Sequence, residues 1–168
     1  MEFKILPGSL TDSYTQTQYS QGSIPRVGDA IFDPSTARKF VFLKNNAASA
    51  IPPKLACVAL GTDKTSKFCA LAAATDGVIG YAGARVDGAA NVAQNEYGWF
   101  ECAGPTLFTV GGTGVTADTP VMTSADAAGK IETYAGTAAS LAASFGDAVA
   151  TVSNGDVTVM VKSNVWGL

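Results

Sequence analysis

The sequence contains no histidine, and that absence removes a large part of enzyme chemistry at once. Ser-His-Asp and Cys-His nucleophilic sites, histidine acid–base catalysis and His-containing metal sites all need a residue this chain lacks. Carboxylate pairs remain, since two carboxyl groups flanking one bond can hydrolyse a glycoside. The nearest pair, Glu96 and Glu101, is an odd number of residues apart, so on one strand the two side chains point to opposite faces. Asp76, Asp87, Asp126, Asp147 and Asp156 sit at glycine-rich or hairpin turns, where Asx-turn chemistry accounts for them. Gly111-Gly112-Thr113-Gly114 has the glycines of a phosphate loop but neither its lysine nor a following helix, and Gly129-Lys130 leads into a strand. Ser-x-x-Lys and Gly-x-Ser-x-Gly are absent. Cys57, Cys69 and Cys102 are odd in number, lack CxxC spacing and read as reduced, buried thiols. The residues point to a non-enzyme without metal or cofactor.

The elements that would have to position any site are read from composition first. Hydrophobic residues make up 47% of the 168, much of it alanine, while charged residues are only 15% and glycine reaches 18 residues. Low charge with abundant Gly, Ala, Thr and Val describes a turn-rich β protein whose surface is partly covered by neighbours. The net charge is −3 and basic residues are scattered, which argues against nucleic-acid binding. No apolar run is long enough to span a membrane, and Met1 to Pro7 is too short and mixed for a secretory signal.

The densest aromatic stretch, Tyr97-Gly98-Trp99-Phe100-Glu101-Cys102-Ala103-Gly104-Pro105, reads as a strand ended by its Gly-Pro pair. Alternation puts Phe100 and Cys102 toward a core and Tyr97, Trp99 and Glu101 on a large mixed face of the kind used for contacts. The alternative is that Trp99 caps the core edge of its own domain. Residues 1–30 are polar and lack an apolar period, so they read as an extended arm whose contacts lie with other chains. Asp33-Pro34 has the signature of a short helical turn over 33–39. Further strands are expected at 40–43, 55–60, 68–74, 78–83, 107–110, 120–124 and 130–134, with residues 85–95 as loop. Residues 145–152 and 157–162 form a hairpin about Asn154-Gly155, with Val157, Val159 and Val161 on one face. The spacing of turns predicts an all-β fold, an antiparallel sandwich or barrel-like domain of short strands with one or two short helical turns. The expected organisation is the arm over 1–30 and one β-rich domain over 31–168, with a possible subdivision near 84–96.

The aromatic strand, the Gly/Ala-rich hairpin with Ser124 and Gly129-Lys130-Ile131, Phe145-Gly146-Asp147-Ala148 and the Val-rich last strand together resemble virion structural proteins of tailed bacteriophages. More narrowly the pattern looks like head decoration, or cement, proteins, as does Arg38 to Asn45. That resemblance implies a homo-oligomer, frequently a trimer, bound to the major capsid protein on the outer capsid surface after synthesis in a bacterial cytoplasm, with no catalysis. On this reading Tyr14, Tyr19, Arg26, Tyr97, Trp99, Glu101 and Trp166 are the candidate capsid or oligomer contacts. Two other readings stand beside it: a glycan-binding β-sandwich with Trp99 or Trp166 as stacking platform, and a tail-tube or other virion component.

Overall fold

The computed structural model describes residues 9–22, 24–59, 68–72, 81–124, 127–134, 136 and 144–162. The chain is all-β and barrel-like. In chain order the elements are β1 (Ser13–Tyr14), α1 (Gln16–Ser20), β2 (Ala30–Asp33), β3 (Arg38–Asn45), β4 (Cys57–Ala59), β5 (Phe68–Leu71), β6 (Tyr81–Gly83), β7 (Tyr97–Thr109), β8 (Pro120–Thr123), β9 (Ile131–Thr133), β10 (Gly146–Ala148) and β11 (Asp156–Val161). They form one curled sheet in the order β6-β4-β5-β3-β7-β11-β10-β8-β9, with β1 beside β7 and β2 beside β3. Only β3 and β5 run parallel among these pairs.

β7 is thirteen residues long and belongs to both halves of the sheet. Its first part pairs with β3 and its second, Gly104 to Thr109, with β11. Each half then curls back toward β7. Ala84, just after β6, bridges to Glu101, and Val110, just after β7, bridges to Ile131 of β9. The change of neighbours therefore lies inside β7. The Gly-Pro pair expected to end this strand does not end it; Gly104 and Pro105 pair with Val161 and Met160. A single strand consequently replaces the two expected at 97–105 and 107–110.

Alternation along the strands sorts the core into three clusters. Val41 and Leu43 of β3 join Phe100 and Cys102 of β7, with Cys57 and Cys69, inside the first curl. Phe40 and Phe42 turn the other way and meet Tyr97 and Trp99. Phe108, Val121, Ile131, Phe145, Val157, Val159 and Val161 fill the second curl, so the expected inward valine face of β11 is found, with Met160 outside. The hairpin about Asn154-Gly155 joins β11 to a strand shorter than expected, since only Gly146 to Ala148 pair with it.

Two local features show how tightly the curls are drawn. A Cβ on Gly83 would run into the carbonyl oxygen of Glu101, and Gly83 also has φ +74°, so β6 can cross β7 only with glycine there. The expected helical turn at 33–39 is instead the turn of the β2–β3 hairpin, because Asp33 and Arg38 pair across it. Asp33 does cap it: its carboxylate accepts from the Ser35 N–H at 2.9 Å and from the Ser35 and Thr36 hydroxyls, bonds that hold its pKa below the usual value. The turn closes with Ala37 at φ +55°, a conformation that costs a non-glycine residue roughly 1–2 kcal/mol. We expect Ala37→Gly to be neutral or stabilising by up to about 1 kcal/mol, and Gly83→Ala to destabilise by about 3 kcal/mol. Urea midpoints of the two variants against the parent chain would check both signs.

Candidate functional site

Residues 1–30 are the segment expected to reach other chains, and over its described residues, 9–22 and 24–30, the structure corrects that expectation. Over its described residues the segment is a strap folded onto the chain's own first curl. Thr15 caps α1 through a reciprocal pair with Gln18, the capping-box arrangement that lets so short a helix form. β1 pairs with Tyr97 and Gly98 of β7. Leu10, Tyr19, Ile24 and Val27 then lie against the aromatic cluster from outside. A polar segment needs few apolar anchors when its backbone bonds are supplied by the body it covers, which is why periodicity missed it.

The main supplier is Arg85, which is completely buried. Its guanidinium donates to the carbonyl oxygens of Leu10 (3.2 Å), Thr11 (2.9 Å) and Asp12 (3.0 Å) in the strap. It also donates to Trp99 O at 2.6 Å and to Ala90 O at 3.1 and 3.3 Å. Among the described residues no carboxylate lies at ion-pair distance from it. Burial pushes its pKa down to about 10, still far above neutral pH, so the cation persists. Gly98 makes the room: a Cβ there would sit 3.0 Å from Arg85 Nη1 and 2.8 Å from a Val92 methyl. Nothing in the local sequence marks Arg85; it falls in the stretch that reads as loop.

Around this clamp the aromatic residues interlock. Tyr19 stacks on Tyr97 at 4.4 Å between centroids with a 6° interplanar angle, and the Tyr97 hydroxyl bonds the Gln16 side chain. Phe42 meets Trp99 edge-on at 5.2 Å and Tyr14 at 5.7 Å. Tyr14 donates to Ser9 O at 3.1 Å, and burial, the first cause, raises its pKa together with that of Tyr97. So four of the expected contact residues, Tyr14, Tyr19, Tyr97 and Trp99, do come together, but within one chain. Trp99 keeps 1% of its surface and Tyr97 3%, which leaves neither free to serve as an interface or a glycan platform; Trp99 belongs to the core of its own domain. Arg26 stays exposed. Trp166 lies outside the described residues.

Glu101 is also buried, at 2% exposure, and pairs with Arg38 at 2.8 Å. Burial raises its pKa, and the Arg38 charge opposes that shift without cancelling it. The other charged groups serve as ties. Lys54 bridges Asp87 (3.0 Å) and Asp156 (2.8 Å), so the two curls are joined at the surface. The three thiols are free and buried, with pKa values raised by desolvation, that of Cys102 to about 11. They are therefore neutral and poor nucleophiles at neutral pH.

Two outcomes follow from this geometry. Arg85→Met leaves several strap and body carbonyls unpaired, each costing about 1–3 kcal/mol. Amides of residues 9–29 should then exchange faster in hydrogen-exchange measurements, with those of β10 and β11 slower to respond. For Glu101, the folded pKa lies above the unfolded one, so the folded state holds more protons and stability falls as pH rises through and above the ordinary carboxylate range. Glu101→Gln should flatten that part of the stability–pH curve, measured by denaturant melts between acid and neutral pH.

Comparison with protein-family models finds no match, and no curated protein matches. Among solved structures, the N base of head fiber gp8.5 in bacteriophage phi29 is similar at a TM-score of 0.49 and 12% identity, over 77% of this chain and 99% of that one. At that level the likeness decides nothing about the present chain.

Proposed function

We propose that this chain is a non-enzymatic virion structural protein, carried as a homotrimer on the outer surface of a tailed-phage capsid, where it binds the major capsid protein and braces the shell. The observation that carries the reading is the sequence pattern that resembles such proteins. The residues of that pattern fall on β7, β8, the turn into β9, β10 and β11, the frame of the fold.

The chemistry of the described side chains supports a mechanical role. Glu101, Lys54, Asp156 and Arg85 all act as ties within the chain, and the thiols are buried. A net charge of −3 suits a surface turned away from packaged nucleic acid. A trimer seated at several points needs only modest contacts at each, because one attachment raises the effective concentration of the next. The strap enters this picture as part of the folded body, so attachment falls to surfaces other than Tyr14, Tyr97 and Trp99.

Mixing the purified protein with empty shells of its companion major capsid protein tests the reading. We expect saturable co-sedimentation and shells that withstand a higher temperature before rupture. Protein that stays in the supernatant, or that pellets only with tails or with glycan-bearing cells, would remove the capsid assignment.

A further inference from the structure

We propose that the edge of β2, unpaired among the described residues, is a strand-docking site for an extended segment of another protein, apolar at its centre and carrying Lys or Arg at both ends. This inference rests on β2 itself and stands apart from the virion reading.

Phe42 donates to Asp29 O at 2.9 Å and accepts from Gly28 N–H at 2.8 Å, and the pairing continues as Ile31 with Phe40 and Asp33 with Arg38. Backbone groups alternate sides along a strand, so Ile31 and Asp33 bond toward β3. Ala30 and Phe32 turn their N–H and C=O groups away from the sheet. Both residues are exposed, and Phe32 keeps 62% of its surface, the most of any large hydrophobic residue among those described. Native sheets normally blunt such an edge with lysine, proline or a bulge within the strand. Ala30-Ile31-Phe32-Asp33 has none of the three.

Charge selects the occupant. Asp29 and Asp33 stand at the two ends of the edge. A second copy of β2 laid antiparallel about Ile31 would set Asp33 of each strand opposite Asp29 of the other, two like-charge oppositions that disfavour pairing. A segment with cations at those two positions turns both into attractions. Its residues facing Ala30 and Phe32 make the backbone bonds and cover the exposed ring, as in strand addition generally.

The probe is an end-capped heptapeptide, Ser-Lys-Val-Thr-Val-Lys-Ser, with a Glu-for-Lys version as control, each titrated into the full chain and followed by amide NMR. We expect shifts confined to residues 29–33 and their β3 partners, roughly tenfold weaker binding of the Glu peptide at low salt from two exposed ion pairs reversed in sign, and a smaller gap in molar salt. Phe32→Pro removes one outward N–H without touching the bonds to β3, so it should abolish binding while the melting temperature holds. If that variant is unstable, Phe32→Lys keeps the backbone and should weaken the Lys peptide selectively. Equal binding of both peptides, shifts elsewhere, no shifts up to the solubility limit, or self-association through residues 29–33 would each overturn the proposal.

Discussion

The fold depends on a buried cation, Arg85, whose hydrogen bonds among the described residues all go to backbone carbonyls. Removing a guanidinium from water is costly, and elsewhere in proteins that cost is usually offset by a carboxylate. Arg85 is offset by five carbonyl oxygens instead, from Leu10, Thr11, Asp12, Ala90 and Trp99. Those carbonyls come from three separate stretches of chain. They converge only if the strap lies across β7 and the 85–92 segment folds back beside it. The cation therefore specifies the arrangement: any other placement of the strap leaves a charge buried and unpaired. Its planar fork of donors is suited to this in a way that a lysine ammonium is not.

The second constraint is that β7 must serve two curls with small side chains around it. A core rich in alanine and valine gives little area per residue, so the large aromatics carry a disproportionate share. Phe42, Trp99, Phe100 and Phe108 are all essentially inaccessible, each worth about 2–3 kcal/mol of burial. β3 and β7 can hold aromatics on both faces because both faces are covered, one by the first curl and one by the strap. Removing the strap would leave the Tyr97 and Trp99 face as a large wet apolar surface, which explains why an otherwise polar segment is held so firmly.

Much of this is legible in the sequence. Alternation in β7 and β11 sorted Phe100, Cys102 and the three valines correctly, because a period of two survives wherever a strand has a filled side. The turns at Asp33 and Gly155 were visible as turns, though Asp33 capped a hairpin where a helix start was expected; the same Asx chemistry serves both. What sequence alone could not supply was the partner of each polar group. Arg85 looked like a loop residue because its acceptors lie up to 75 positions away in sequence. The strap looked like an arm because its anchors are carbonyls, which every residue carries and no pattern records. Pro105 looked like a strand end, yet the strand continues through it, since proline is compatible with extended backbone where no ladder bond is asked of its nitrogen.

The use of aromatics inside the chain decides where contacts with anything else can arise. Among the described residues the large apolar side chains left outside are Phe32, Val149 and Met160. Val149 and Met160 belong to the second curl, just beyond β10 and on β11 respectively, and Val149 donates to Thr158 O across the pair. Phe32 belongs to the hairpin beside the first curl. These are different kinds of surface. The outer face around Met160 offers area, and area alone discriminates poorly between partners. The β2 edge offers directed backbone donors and acceptors between two carboxylates, which discriminate by register and by charge. The two surfaces lie on different halves of the chain, on either side of the strand that those halves share.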